Sequence, residues 1–509
     1  MPNPHLLRTA LLACCAIAFA AAHAQTPPGI ARVPLDPVLF SNSNQKGVIA
    51  LDVAGVTREA GREVIAQDGG FILVAGDAHT DPDSDAPSRI VLARIRPQST
   101  PIAVPGGAAA FLDAGFGDGG LRVDAFARTA HSHALHGMVQ QPDGRIVLMV
   151  RSALLADGPD APGELLFARY LANGTPDTGF GTAGVVSLPL CDGADCALRQ
   201  PLSFDLAMEP DGSLLAIASI MKLLPNGGFR EIELELRRLH ADGTPDLDFG
   251  PDGLQAYDDF PGLGEEIGAG QVRLARRADG RIAVVANTLD FDLEGHGTPA
   301  VMLLRADGTP DTAFGSGGSR LLPVDPARNA MLPMAIDVQD DGRIVVAGMA
   351  LAPFSDAPSF FAARLTATGT VDTTFGGDGN VFGDSTPAGD GSDIANAMAH
   401  DARGRHYLVG DTGPNAFDPH VGVLRLQPNG AADEGFAANG LARYTELAVQ
   451  TGITNVFLTN ERAFAATVAP TGVLVAAGAR VSQDSSDRSE DRLIAFRLLR
   501  TELFADDFE

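Results

Sequence analysis

Three carboxylates alternate along one loop, Asp81, Asp83 and Asp85 in HTDPDSDAPS. Alternate carboxylates suit a hard cation that needs several oxygens, so calcium is the one cofactor for which this chain offers a place. The glycine and the downstream bidentate Glu of an EF-hand loop are missing, and a solvated acidic loop is the plainer reading. His131, His133 and His136 lie close together in AHSHALH. On a strand the first two share a face and the third points the other way. Two imidazoles do not complete a zinc site, so exposed or channel-facing histidines are expected. Cys191 and Cys196, spaced C-x4-C in CDGADC, are expected to form a local disulfide in an oxidising compartment. Asp118 and Asp378 follow Phe-Gly corners and read as turn-capping residues. No G-x-S-x-G elbow, H-E-x-x-H helix or Walker loop occurs, so no residue is marked as catalytic.

Composition sets the surroundings of these residues. Arg8, the apolar run Leu11 to Ala22 and Ala22-His23-Ala24 read as a secretory signal over residues 1–24. Cys14 and Cys15 lie inside it. No later stretch is apolar for long enough to span a membrane as a helix. Export places the protein in the periplasm, at the cell surface or outside a bacterium. The formal charge is −27, and Lys46 and Lys222 are the only lysines. A field of that sign repels phosphate backbones, which argues against a nucleic-acid partner, and favours cationic partners or bridging divalent cations.

The elements that position these groups are set by repetition. Gly69, Gly144, Gly212, Gly280, Gly342, Gly404 and Gly472 each stand at a turn just ahead of an apolar run, with gaps of 75, 68, 68, 62, 62 and 68 residues. In most repeats the turn reads Asp-Gly between two strand-like segments, as in MAIDVQDDGRIVVAG (334–348), and glycine supplies the positive φ of a hairpin turn. About 30 residues later a second element reads G-x-x-D-x-x-F-G, as in GTPDTAFGSGG from Gly308. Its aspartates are Asp113, Asp177, Asp246, Asp311, Asp372 and Asp433, and its phenylalanines Phe116, Phe180, Phe249, Phe314, Phe375 and Phe436. Each Asp is placed to cap N–H groups two residues on, and each Phe to anchor a polar corner.

Four short strands fit each unit, and helical periodicity is absent after the signal. The expected fold is therefore all-β, a seven-bladed β-propeller of four-stranded blades, formed by residues 25–500 as one domain of about 65-residue repeats. The last unit lacks its fourth strand, and GVIALDV (47–53) fits the gap, so the N-terminal strand is expected to close the last blade. A six-bladed ring with an extra hairpin is the competing count, because the Asp-x-x-Phe corner occurs six times. Residues 501–509 form an acidic tail.

The succession DGRIVVAG, ARL and DGTPDTAFGSGG resembles the delta-60 repeat family of exported bacterial proteins, over nearly all of residues 35 to 500. The resemblance implies a propeller-like architecture and an exported setting, and it carries no catalytic motif. The expected function is an exported, non-enzymatic and monomeric scaffold that binds a protein or surface ligand. Its contacts would come from loops that do not recur, 77–88, 151–163, 287–298 and 480–490. The alternative is a hydrolase or lyase with a site at the mouth of the central channel. That reading requires acidic or histidine side chains from at least three blades in mutual reach.

Overall fold

The computed structural model describes residues 48–51, 53, 56, 58–79, 87–97, 111–158, 161–191, 194–226, 228–289, 297–323, 325, 330–352, 357–384, 391–413, 419–444, 456–469, 474–484 and 489–497. The signal segment, the acidic tail, Gly472 and Asp81, Asp83 and Asp85 lie outside these residues. The fold is a β-propeller built from antiparallel four-stranded units. The fifth repeat shows the pattern: strands Ala330–Val338, Ile344–Leu351, Pro358–Leu365 and Asn380–Gly383 pair in sequence order. The turn after the first strand holds its glycine at positive φ in the first six repeats, for example 88° at Gly280 and 82° at Gly342.

The second strands are buried along their length rather than on alternate residues. Val346 packs toward the fourth repeat and Ala347 toward the sixth. A sheet sandwiched between two others has no solvent face, so both sets of side chains are apolar. The first strands form the inner wall. These are Arg58–Ala66, His131–Gln140, Arg199–Met208, Arg273–Arg276, Ala330–Val338, Ser392–His400 and Val456–Val468. Each contacts the next, and the last contacts the first, which closes the ring.

The expectation of seven separate blades needs correction: the described residues form six blade sheets. Five hold four strands, and the sixth holds eight. The larger sheet arises because Arg58, at the start of the first repeat, pairs in parallel with Asp491 in the third strand of the last. That single pairing fuses the strands of the first and last repeats. The N-terminal strand Val48–Leu51 belongs to the same sheet and pairs antiparallel with the strand Ser489–Arg497, Val48 opposite Phe496 and Leu51 opposite Leu493. A two-stranded ribbon, Asp259–Phe260 with Glu265–Glu266, is inserted between the third and fourth repeats. No helix among the described residues is long and apolar enough to cross a membrane.

Candidate functional site

The repeated polar residues join one blade to the next. At each Phe-Gly corner the Asp accepts the N–H two residues on, as Asp433 does from Gly435 at 3.1 Å. It also binds an arginine from the third strand: Arg94 to Asp113 at 2.7 Å, Arg169 to Asp177 at 2.9 Å, Arg238 to Asp246 at 2.6 Å, Arg364 to Asp372 at 2.8 Å. The same guanidinium lies over the corner phenylalanine, 4.3 Å from the ring centre of Phe180 and 4.6 Å from that of Phe375. Its far end reaches into the next repeat, where Arg94 donates to Ala172 O at 2.6 Å and Arg364 to Pro428 O. In the fourth repeat Leu303 takes the arginine's place. Arg281 then pairs with Asp311 at 3.0 Å, and Arg277 donates to Ala367 O at 2.9 Å.

These partners lower the carboxyls of Asp113, Asp246 and Asp372. Burial pushes Asp372 up, but hydrogen bonds from the Thr374 hydroxyl and N–H, with the charges of Arg364 and Arg343, outweigh it and hold the carboxyl below its usual range. Asp246 behaves alike, with Arg238 the main counterweight to burial. Groups held ionised inside such pairs are not available as acids, bases or metal ligands.

The histidine segment lies on the inner strand of the second repeat. His131 Nδ1 is 3.0 Å from Ser152 Oγ, and the His131 and His133 rings stack with centres 6.2 Å apart. His136 is the extra residue of a β-bulge between Leu135 and Gly137, with its ring 4.5 Å from that of Phe204. Burial pushes both His133 and His136 down to about 4, so they are neutral near pH 7. No group of three or more His, Cys, Asp or Glu that could hold a metal occurs among the described residues. Cys191 is joined to Cys196 in a disulfide just before the third repeat's inner strand. Asp118 N–H donates to Leu121 O at 2.7 Å, and Asp378 Oδ1 accepts the Asn380 N–H at 2.9 Å.

A convergence that no motif announces lies on the inner wall. Glu63, Asp205 and Arg273 stand on the inner strands of the first, third and fourth repeats. Glu63 feels the charges of both Asp205 and Arg273, although neither stands on an adjacent strand. Burial pushes the Glu63 carboxyl up to about 8, Asp205 adds to the shift and Arg273 opposes it. Asp205 is also raised, by burial first, against Arg273 and the N–H groups of Leu274 and Leu206. Arg273 is held by Met334 O at 2.8 Å and Val272 O at 2.8 Å. Between the first and third repeats His136 feels Asp77, Arg151, Arg62 and Arg273. Arg62 and Asp77 form their own pair at 2.8 Å, and Asp77 also accepts the Leu135 N–H at the bulge. Burial and Asp205 thus hold the Glu63 carboxyl well above its usual range, beside groups already engaged. Sequence reasoning missed it because its members are scattered over the chain and share no spacing.

Three of the repeats match a β-propeller family of unknown function. The matching segments, 141–180, 277–314 and 339–375, correspond to the domain of unknown function DUF5122 beta-propeller. Each runs from the region of the first hairpin turn to the corner phenylalanine, the stretch that contains the Asp–Arg–Phe assembly. No curated protein matches the sequence. Among solved structures, the chain is similar to a Penicillium chrysogenum alpha-L-arabinanase at 9% identity, with a TM-score of 0.40 over 90% of this chain and 100% of that one. A polysaccharide lyase of family PL25, an ulvan lyase, aligns at 10% identity and a TM-score of 0.38, over 75% of this chain and 77% of that one. The subtype N11 neuraminidase-like protein of A/flat-faced bat/Peru (H18N11) aligns at 10% identity and a TM-score of 0.36, over 92% and 97% of the two chains.

Proposed function

We propose that this chain is an exported β-propeller scaffold that binds a protein or a surface ligand through the segments that do not repeat, and carries out no reaction itself. The observation that supports this most is the fate of the repeated residues. The corner aspartates, arginines and phenylalanines are spent on joining blades, so recognition falls to the variable connections. Export rests on the signal-like residues 1–24, and the delta-60 resemblance agrees with it. The charge of −27 favours a cationic partner, or one bridged by calcium through Asp81, Asp83 and Asp85. The scaffold acts as a monomer.

The test uses the mature chain and cell envelopes of the producing bacterium. Replacing residues 155–160 or 290–296, inside these loops, by a Gly/Ser linker of equal length should leave the Tm within a few degrees and abolish sedimentation with envelopes. Unchanged sedimentation after both replacements overturns the reading, as does recovery of a mature chain that still carries residues 1–24.

A second reading, a hydrolase or lyase working from the channel, is favoured by one observation, the raised carboxyls of Glu63 and Asp205 on the inner strands. Turnover of a polysaccharide or ester by the mature chain, lost in Glu63→Gln, would replace the scaffold reading with this one.

A further inference from the structure

The corner of the fifth repeat leaves an open cleft against the sixth, of about 430 Å³. That volume lies in the range of about 300–1,000 Å³ usual for small-molecule sites. Thr374, Gly376 and Val381 line it from the fifth repeat, and Asn429, Gly430 and Ala431 from the sixth. The fourth-strand residue at this junction changes from repeat to repeat. It is Arg122, opposite Leu92, in the first and Gln255, opposite Leu236, in the third. It is Arg320, opposite Val301, in the fourth and Val381, opposite Ala362, in the fifth. Where the side chain is long it occupies the junction. Arg122 pairs with Asp124 at 2.7 Å and interacts with Tyr170 of the second repeat. Gln255 lies against Gly308 of the fourth repeat, the counterpart of Gly430. Val381 is packed on the core between the fifth and sixth repeats, and the cleft opens beside it. Two sister repeats thus carry an arginine where the fifth has a short side chain and open space.

The edge of the cleft carries the matching charge. Asp378 stands between the lining residues Gly377 and Asn380 and is exposed. Its Oδ1 accepts the Asn380 N–H at 2.9 Å, and no ion pair engages the carboxylate among the described residues. The charges behind Thr374 cancel one another: Asp372 binds both Arg364 and Arg343, and Arg343 also binds Asp341. Gly119 and Gly317 stand at the place of Asp378 in the first and fourth repeats, so the carboxylate occurs where the built-in arginine does not.

We propose that this cleft receives an arginine side chain of a partner protein. The methylene stem lies on Val381 and Ala431, and the planar guanidinium donates to the Asp378 carboxylate at the edge. The inference rests on the scaffold reading and gives the chemistry of one partner contact, at a corner that departs from its sisters.

The probe is N-acetyl-arginine amide, with N-acetyl-citrulline amide as its neutral isostere. Titration calorimetry and saturation-transfer NMR read binding to the mature chain at about 0.15 M ionic strength, where distant surface charges are screened. The arginine derivative should bind with millimolar or better affinity, and the citrulline derivative at least tenfold more weakly. Val381→Arg supplies from within the side chain that the sister repeats carry, and should abolish binding. Asp378→Asn, at an exposed position, should weaken it at least fivefold. Asp252→Asn makes the same charge change at the matching corner of the third repeat and should leave binding unchanged. Where Val381→Arg lowers the Tm, the contrast between Asp378→Asn and Asp252→Asn decides. No binding of the arginine derivative, equal binding of the citrulline derivative, equal weakening by the two aspartate variants, or binding unchanged in Val381→Arg overturns the proposal. The probe needs no envelope, so failure of this contact and failure of the scaffold reading show in different experiments.

Discussion

The most informative single residue is Glu63, because its environment makes a claim about pH. Its folded-state value of about 8 lies above the ordinary 4.5 of the unfolded chain. Between those values the unfolded state has lost its proton and the folded state has kept it, so unfolding gains ground as pH rises. The stability associated with Glu63 is thus complete below about pH 4.5 and is lost progressively toward pH 8. Burial is the larger cause and Asp205 the lesser, so a neutral isostere should remove most of the effect. Glu63→Gln is expected to match the wild type near pH 5 and to melt a few degrees higher at pH 8, a difference of roughly 1–3 kcal/mol. Thermal melts of both proteins from pH 5 to pH 8 check this. Parallel curves would mean that the carboxyl is ionised and solvated in the channel.

Among the elements, the Phe-Gly corner was partly legible in the sequence and partly hidden from it. The turn glycines, the capping aspartates and the buried phenylalanines follow from local chemistry, and the structure places them in those roles. The arginine at the end of the third strand was visible as a recurring residue, but its three tasks were not. The last of them, the bond to a carbonyl, depends on the next repeat, which lies about 65 residues away in sequence. The same holds for the first glycine of each G-x-x-D-x-x-F-G. At Gly243, φ is 86°, and an added Cβ would stand 2.5 Å from the Phe180 ring of the preceding repeat. Gly158 has a nearly equal φ of 87° with nothing within 4 Å of such a Cβ. Alanine at Gly158 should therefore show the backbone cost alone, about 1 kcal/mol. Alanine at Gly243 should cost about 2–4 kcal/mol, because a blade contact is forced apart as well. Chemical denaturation of the two variants gives the comparison. Equal losses would remove the blade-joining role from this glycine. The inner-wall group of Glu63, Asp205 and Arg273 was not legible at all, since only closure of the ring brings its strands to one axis.

For the whole molecule the decisive feature is how the ring is sealed. A linear array of repeats would leave two open ends, each exposing a sheet face. Here the strand Val48–Leu51 pairs with Ser489–Arg497, and the chain then runs directly into the first repeat at Arg58. The N-terminal strand therefore ties the last repeat to the first through the covalent chain. The parallel pair Arg58–Asp491 and the packing of the Arg62 guanidinium 4.6 Å above the Phe464 ring support the same seam. In an antiparallel ladder alternate residues donate toward a given neighbour, so proline at either Ile49 or Ala50 must delete an N–H that faces the last repeat. The sensitive one of the pair should lose about 3 kcal/mol or more. The loss should also be directional, with amide exchange rising first across Val456–Val468 and Leu474–Asp484. Proline at Val186, in the outer strand Val185–Pro189 of the second repeat, is the control, because it damages a sheet edge away from the seam. If hydrogen exchange in the seam variants rises evenly around the ring, or only as much as in Val186→Pro, the ring is held by blade packing and the N-terminal strand is not its clasp.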